Sequence, residues 1–213
     1  GEVCPVDQAI GYLTREWADR LGLQEGIAVA PAVIDSHAGV PGSGVLEKGQ
    51  MMLVVGTSSV VLALSDKPYY GKGIVGTVKS GIIPGFYALE SGIAAVGDAL
   101  EWFVSNAVPG SCCRRAEEEG LNIHAYLSRE AAKMQPGESP VIALDWLGGN
   151  KTPYVDGSLL GGFYGVGLRT KPEELYRALI EATAFGTRRI VESMEESGTR
   201  IEKVVVSGGI SKK

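Results

Sequence analysis

Apolar residues recur along the chain in two alternating rhythms. Residues 14–21 read as a short helix that opens at Thr14 and is closed by Gly22. Residues 27–34 form an apolar, β-leaning stretch that runs into Asp35-Ser36-His37. Two further apolar runs, 51–55 and 60–64, are separated only by Gly56-Thr57-Ser58-Ser59, which predicts a tight hairpin. A second hairpin is expected over 74–90 with Pro84-Gly85 at its turn. Ile93, Val96, Leu100, Phe103 and Ala107 then repeat at helical spacing, predicting a helix over 92–107. Residues 112–134 are polar and helical in pattern. A short buried strand follows at 141–144, and a loop at 145–150.

The clearest helix opens at Thr170-Lys171-Pro172-Glu173, a capping-box start with proline in the first turn. Leu175, Leu179, Ala182, Gly186 and Ile190 carry its apolar face. A last strand over 203–206 breaks at Ser207-Gly208-Gly209, and the sequence stops four residues later without the helix such a turn normally delivers. With no methionine at position 1 either, the sequence is expected to be a fragment of a longer protein.

Composition narrows the function classes. Hydrophobic residues make up 45% and charged residues 21% of 213, an ordinary globular balance. No apolar run reaches the roughly 18 residues that span a bilayer, and the start lacks the basic region of a signal peptide. The net charge of -5, with no basic stripe, excludes a nucleic-acid partner. Cys4, Cys112 and Cys113 make no disulfide framework and no CxxC pair, so a reducing, cytoplasmic setting is expected. His37 and His124 are the only histidines, which rules out a histidine-rich metal site. Chemistry must therefore run on carboxylates, hydroxyls and backbone amides. Glycine is the outlier, 30 residues or about twice the usual share, and it punctuates apolar runs where backbone must approach something closely.

Four constellations follow. Asp35, at the end of an apolar stretch, is either a capping carboxylate or a general base for a hydroxyl; with His37 two residues on, it would share one face of a strand and offer at most a weak metal site. Gly56-Thr57-Ser58-Ser59 is either a plain Ser/Thr turn or an amide nest suited to polyphosphate; it matches neither the Walker nor the GxSxG pattern. Ser207-Gly208-Gly209 leaves backbone bare for a flat ring or a phosphate, or is a simple turn. Glu90, ending an apolar strand beside the predicted helix that carries Gly97, is either an ion-paired carboxylate or a ligand for polyol hydroxyls.

The order of these blocks resembles the FGGY carbohydrate kinase family over nearly the whole chain. Val33-Ile34-Asp35-Ser36-His37-Ala38-Gly39 is similar to the family's GxxDAHAG segment, with Ala32 for Gly and Ser36 for Ala. Gly56-Thr57-Ser58-Ser59 is similar to its second phosphate motif, and Val206-Ser207-Gly208-Gly209 to its adenosine motif. Ala143-Leu144-Asp145-Trp146 with Gly149-Asn150-Lys151-Thr152-Pro153 resembles the block of the branch that acts on L-ribulose, with Gly148 for Asn and Lys151 for Arg. The helix bearing 172–178 and 181–188 resembles the long helix of the same branch.

The resemblance implies an α/β fold of the actin-like ATPase (ribonuclease H-like) kind, a mixed sheet flanked by helices. Residues 1–213 would be its C-terminal nucleotide-binding domain, incomplete at the C-terminal end and lacking the N-terminal sugar-binding domain. It implies ATP and Mg²⁺ as cofactors, no protein-built metal site, and a small-molecule sugar as substrate. Asp35 would be catalytic and, with Glu90, would bind the sugar. Gly56, Thr57, Ser58, Gly97, Gly208 and Gly209 would hold the nucleotide. The missing domain would be a partner, homodimerisation is left open, and neither nucleic acid nor membrane is expected. Alone, the 213 residues are expected to be inactive. Two rival expectations are a kinase of xylulose, glycerol or another polyol, and an actin-like nucleotide-binding module that phosphorylates no small molecule.

Overall fold

The computed structural model describes residues 4–196 and 198–212, with the side chains of 211 and 212 left aside. Its centre is a five-stranded mixed sheet built from β3 (Gln50–Val55), β4 (Ser59–Ser65), β5 (Gly76–Lys79), β6 (Tyr87–Ile93) and β9 (Lys203–Ser207). The spatial order is β5-β6-β4-β3-β9. Both predicted hairpins form and pair antiparallel through β4 and β6, while β9 returns from far along the chain to lie parallel to β3.

Strand alternation sorts the apolar side chains onto two faces. Met51, Leu53, Val55, Val61, Ala63, Leu89 and Ile93 face one side, where Ile190 and Met194 of the long helix α6 (Pro172–Glu196) cover them. Met52, Leu62, Leu64 and Ala88 face the other, against Val40 of α2 (Asp35–Gly42) and the following Val45. The first half of α6 serves a second core: Tyr176, Leu179 and Ala182 pack with Phe103 of α3 (Gly97–Ala107), Cys112 of α4 (Gly110–Glu118) and Leu127 of α5 (Ile123–Ala131). The strand β7 (Ile142–Leu144), paired with β8 (Gly162–Tyr164), closes that layer. The mixed sheet between helical layers agrees with the implied fold class.

Several boundaries differ from the sequence reading. Of the stretch 27–34 only Ala28–Val29 (β2) is a strand, paired with β1 (Gly11–Tyr12). Pro31 lacks a donor amide, and Asp35 opens α2 rather than ending a strand, where its negative charge suits the helix N-terminus. Asp35 and His37 therefore do not share a strand face, and the weak metal site considered for them is not formed. Among the described residues no group of three metal-ligating side chains occurs. The predicted helix over 92–107 starts only at Gly97, because Gly92 and Ile93 are still paired with Val60 and Ser59. Glu90 is thus inside β6, not at its end. The polar stretch 112–134 is two helices divided by Gly120, whose φ of 68° ends a right-handed run. At α6 the capping pattern lies one residue later than expected: the Lys171 amide donates to Glu174 Oε2 at 2.8 Å.

Residues 4–34 are packed differently. Their helix α1 (Arg15–Leu21) buries only Ala18, while Ile10, Tyr12, Trp17 and Leu23 are exposed. No helix of the described residues is long and apolar enough to cross a membrane.

Because Ile190 is fully buried between α6 and the sheet, Ile190→Ala should destabilise the protein by about 2–5 kcal/mol. The denaturation midpoint should fall at unchanged m-value.

Candidate functional site

One end of the sheet gathers most of the sequence-predicted residues. The β3–β4 turn, the exit of β6 into α3 and the exit of β9 into the 3₁₀ turn Gly209–Lys212 all lie there, because the strand registers align Val55 with Ser59, Ser59 with Ile93 and Val54 with Ser207. The amides of Val96, Gly97 and Asp98 donate to the carbonyls of Thr57, Gly56 and Thr57 at 2.8, 3.0 and 3.1 Å. The hairpin thus caps α3. With its carbonyls engaged and Gly56 N–H bonded to Ser58 O at 2.9 Å, the amides of Thr57 and Ser58 have no hydrogen-bond partner among the described residues. Two adjacent donors beside two hydroxyls suit an anion.

The glycines divide by what requires them. A Cβ on Gly97 would lie 2.8 Å from the Gly56 carbonyl oxygen, and one on Gly208 would collide with the Val55 backbone. Both permit backbone to touch backbone. Around Gly209 nothing lies within 4 Å of an added Cβ, and at Gly56 only Ser58 O does, at 3.9 Å. Internal packing does not account for glycine at those two positions, and their backbone is left bare at the sheet end.

Beside this junction opens a cavity of about 790 Å³, large enough for a nucleoside. Gly97, Leu100, Ile180 and Ile210 supply bare and apolar wall. Glu101, His124 and Tyr176 supply a hydrogen-bonded chain: His124 Nε2 lies 2.9 Å from Glu101 Oε2, and Nδ1 lies 3.1 Å from the Tyr176 hydroxyl. The hydrogen bond from His124, then that from Ser105, hold the Glu101 carboxyl below its ordinary range. Burial pushes the Tyr176 phenol up. None of these three was singled out from the sequence; lone polar residues on separate helices carry no local signal.

The acidic residues lie on the α2 face of the sheet. Glu90 sits three residues back from the end of β6, about 10 Å along the strand. His37 Nε2 lies 3.5 Å from its Oε2 and Lys151 Nζ 3.7 Å from its Oε1. Lys151 is delivered by a loop anchored at its next residue, where the Thr152 hydroxyl meets the buried Ser91 hydroxyl beside Glu90. Asp35 lies in the first turn of the same helix as His37; it is exposed, its Oδ1 accepting only the neighbouring Ser36 amide at 2.7 Å. The structure therefore brings the predicted glycines and hydroxyls together at the sheet end. It puts Glu90 with His37, and leaves Asp35 open to solvent.

Asp145, in the same loop, is buried, and its Oδ2 has no hydrogen-bond partner among the described residues. Burial raises its carboxyl to about 6.

A mixed five-stranded sheet, flanked by helices and with a glycine-built turn at its end beside a cavity, is the arrangement of an actin-like ATPase domain. The chain belongs to the FGGY family of carbohydrate kinases: the family's C-terminal domain matches residues 51–213. It is 44% identical over 213 residues to a ribulokinase of Anoxybacillus flavithermus and 43% identical to one of Geobacillus thermodenitrificans, covering all of this chain and 38% of each relative. Among solved structures it resembles a xylulose kinase from Rhodospirillum rubrum (TM-score 0.82, 26% identity, 99% of this chain and 40% of the other). Plasmodium falciparum glycerol kinase with ADP shares the fold (TM-score 0.74, 21% identity, 98% and 39%). The chain thus spans well under half the length of these relatives.

Two outcomes follow from the site's packing. Gly97→Ala should lower stability by about 1–3 kcal/mol, since backbone must shift to admit a Cβ, whereas Gly209→Ala should change it by less than about 0.5 kcal/mol; chemical denaturation separates them. For Asp145, the folded carboxyl holds its proton more tightly than the unfolded one, which titrates near 3.8. Stability should therefore fall as pH rises from about 4 to about 6, by on the order of 1–3 kcal/mol, and the loss should persist above that range. Asp145→Asn should flatten this segment of the pH–stability curve.

Proposed function

We propose that the full-length protein transfers the γ-phosphoryl group of ATP to the terminal hydroxyl of a ketopentose, L-ribulose, and that this chain supplies its nucleotide-binding half. One observation carries the reading: the unpartnered Thr57 and Ser58 amides adjoin, through Gly97, a nucleoside-sized cavity, with Glu90 on the adjacent sheet face. The ribulokinase names of the relatives that align with all of this chain support the choice of sugar.

Phosphoryl transfer is mostly positioning and charge stabilisation. The Thr57 and Ser58 amides and hydroxyls would hold phosphate oxygens, with Gly56 and Gly209 leaving their backbone bare to the ligand. Gly97 and Gly208 act by allowing the turn to seat. Mg²⁺ would be held through phosphate oxygens and water, which suits a site without clustered ligands. Glu90, steadied by Lys151 and His37, would accept hydrogen bonds from sugar hydroxyls. Asp35, solvent-open and free of any ion pair among the described residues, would orient the acceptor hydroxyl and take its proton as the bond forms. The exposed apolar side chains of 4–34 and the Asp35 surface would face the remaining domain of the full-length protein, whose closure excludes water.

In the full-length protein, Asp35→Asn should reduce turnover by roughly 10²–10⁴-fold with ADP affinity little changed. Coupled assay of ADP release against ribulose, xylulose and glycerol, alongside calorimetric titration, checks both parts. Near-parental turnover would remove Asp35 from the chemistry, and nucleotide hydrolysis indifferent to every sugar would remove the kinase.

A further inference from the structure

Two rings line the large cavity, those of His124 and Tyr176. Tyr176 is only 2% exposed, and its ring packs at 6.2 Å from that of Phe103 within the helical core. Its surface is therefore already taken. His124 is the ring left to a ligand, and it is held firmly. It sits in the first turn of α5, where Asn122 Oδ1 caps the helix by accepting the Ala125 amide at 2.9 Å. Its Nε2 faces the Glu101 carboxylate, which can only accept, so this nitrogen carries a proton in either charge state of the ring. Its Nδ1 faces the Tyr176 hydroxyl, which can give or accept.

With both nitrogens engaged, the ring has no edge to offer a ligand. Its face remains. We infer that His124 is a stacking surface for a purine base in this cavity, its ring fixed from two sides by Glu101 and Tyr176. Leu100, Ile180 and Ile210 provide the apolar wall that a flat base also requires. A ring locked before binding loses little rotational freedom when the base arrives, which favours affinity. The inference rests on the nucleotide reading above and adds the residue that recognises the base. Glu101 and Tyr176 act through His124 and are positioning residues.

The test is calorimetric titration of the full-length protein with ADP and, separately, with inorganic tripolyphosphate, which has no base. His124→Ala should weaken ADP roughly tenfold or more, the scale of losing one base–ring stack, and leave tripolyphosphate unaffected. His124→Phe, which keeps a ring face and discards both nitrogens, should recover most of the lost ADP affinity. Parental ADP affinity in His124→Ala would overturn the inference, as would equal weakening in His124→Ala and His124→Phe, since that assigns the effect to the nitrogens or to local structure. If the parent protein binds tripolyphosphate but gains nothing from the base, stacking fails while phosphate binding stands. A parent that binds neither probe defeats the nucleotide reading itself.

Discussion

Contact between bare backbones is the constraint on which the site depends. The β3–β4 turn is pressed on one side by the start of α3 and on the other by the exit of β9. Neither approach leaves room for a Cβ at Gly97 or Gly208. The contact does more than fill space. By giving its carbonyls to the first amides of α3, the turn satisfies donors that every helix leaves over, and its own Thr57 and Ser58 amides have no partner among the described residues. A pair of donors suited to negative charge thus arises from ordinary hydrogen-bond accounting. It needs no lysine or arginine in the turn.

The same junction explains why the chemistry is spread over two faces of one sheet. Helix α6 covers one face and continues into the helical layer, so the cavity with His124 belongs to that side. Glu90 points to the other face, with His37 of α2 and Lys151 from the 145–153 loop. Phosphates held at the sheet end would lie between the two, and a group passed from one side to the other would cross the turn. This geometry suits the phosphoryl transfer proposed above.

Asp145 shows the tension between stability and position. A buried carboxyl with one unpartnered oxygen is unfavourable when charged, and burial moves its titration accordingly. It lies in the loop that also holds Lys151 beside Glu90. The loop is otherwise tied down by hydroxyl contacts among Ser91, Thr152 and the Gly73 carbonyl. Its cost is local, while its order fixes a cation near the Glu90 carboxylate.

The two hairpins, the long helix, the final strand and the family were legible from the residues alone, because each rests on local periodicity, turn chemistry or contiguous motifs. It also marked Gly56, Thr57, Gly97, Gly208 and Glu90 as residues worth placing. Fold-level packing was needed to see that Asp35 begins a helix, that Glu90 lies within a strand rather than at its end, and that a Cβ has room at Gly56 and Gly209 but not at Gly97 or Gly208. It alone joined Glu101, His124 and Tyr176, which come from three helices separated by up to 75 residues, the difference between positions 176 and 101. Local pattern reports on neighbours within a few residues. Pairing register and helix packing, which act over the whole chain, set where strands end and which lone polar groups meet.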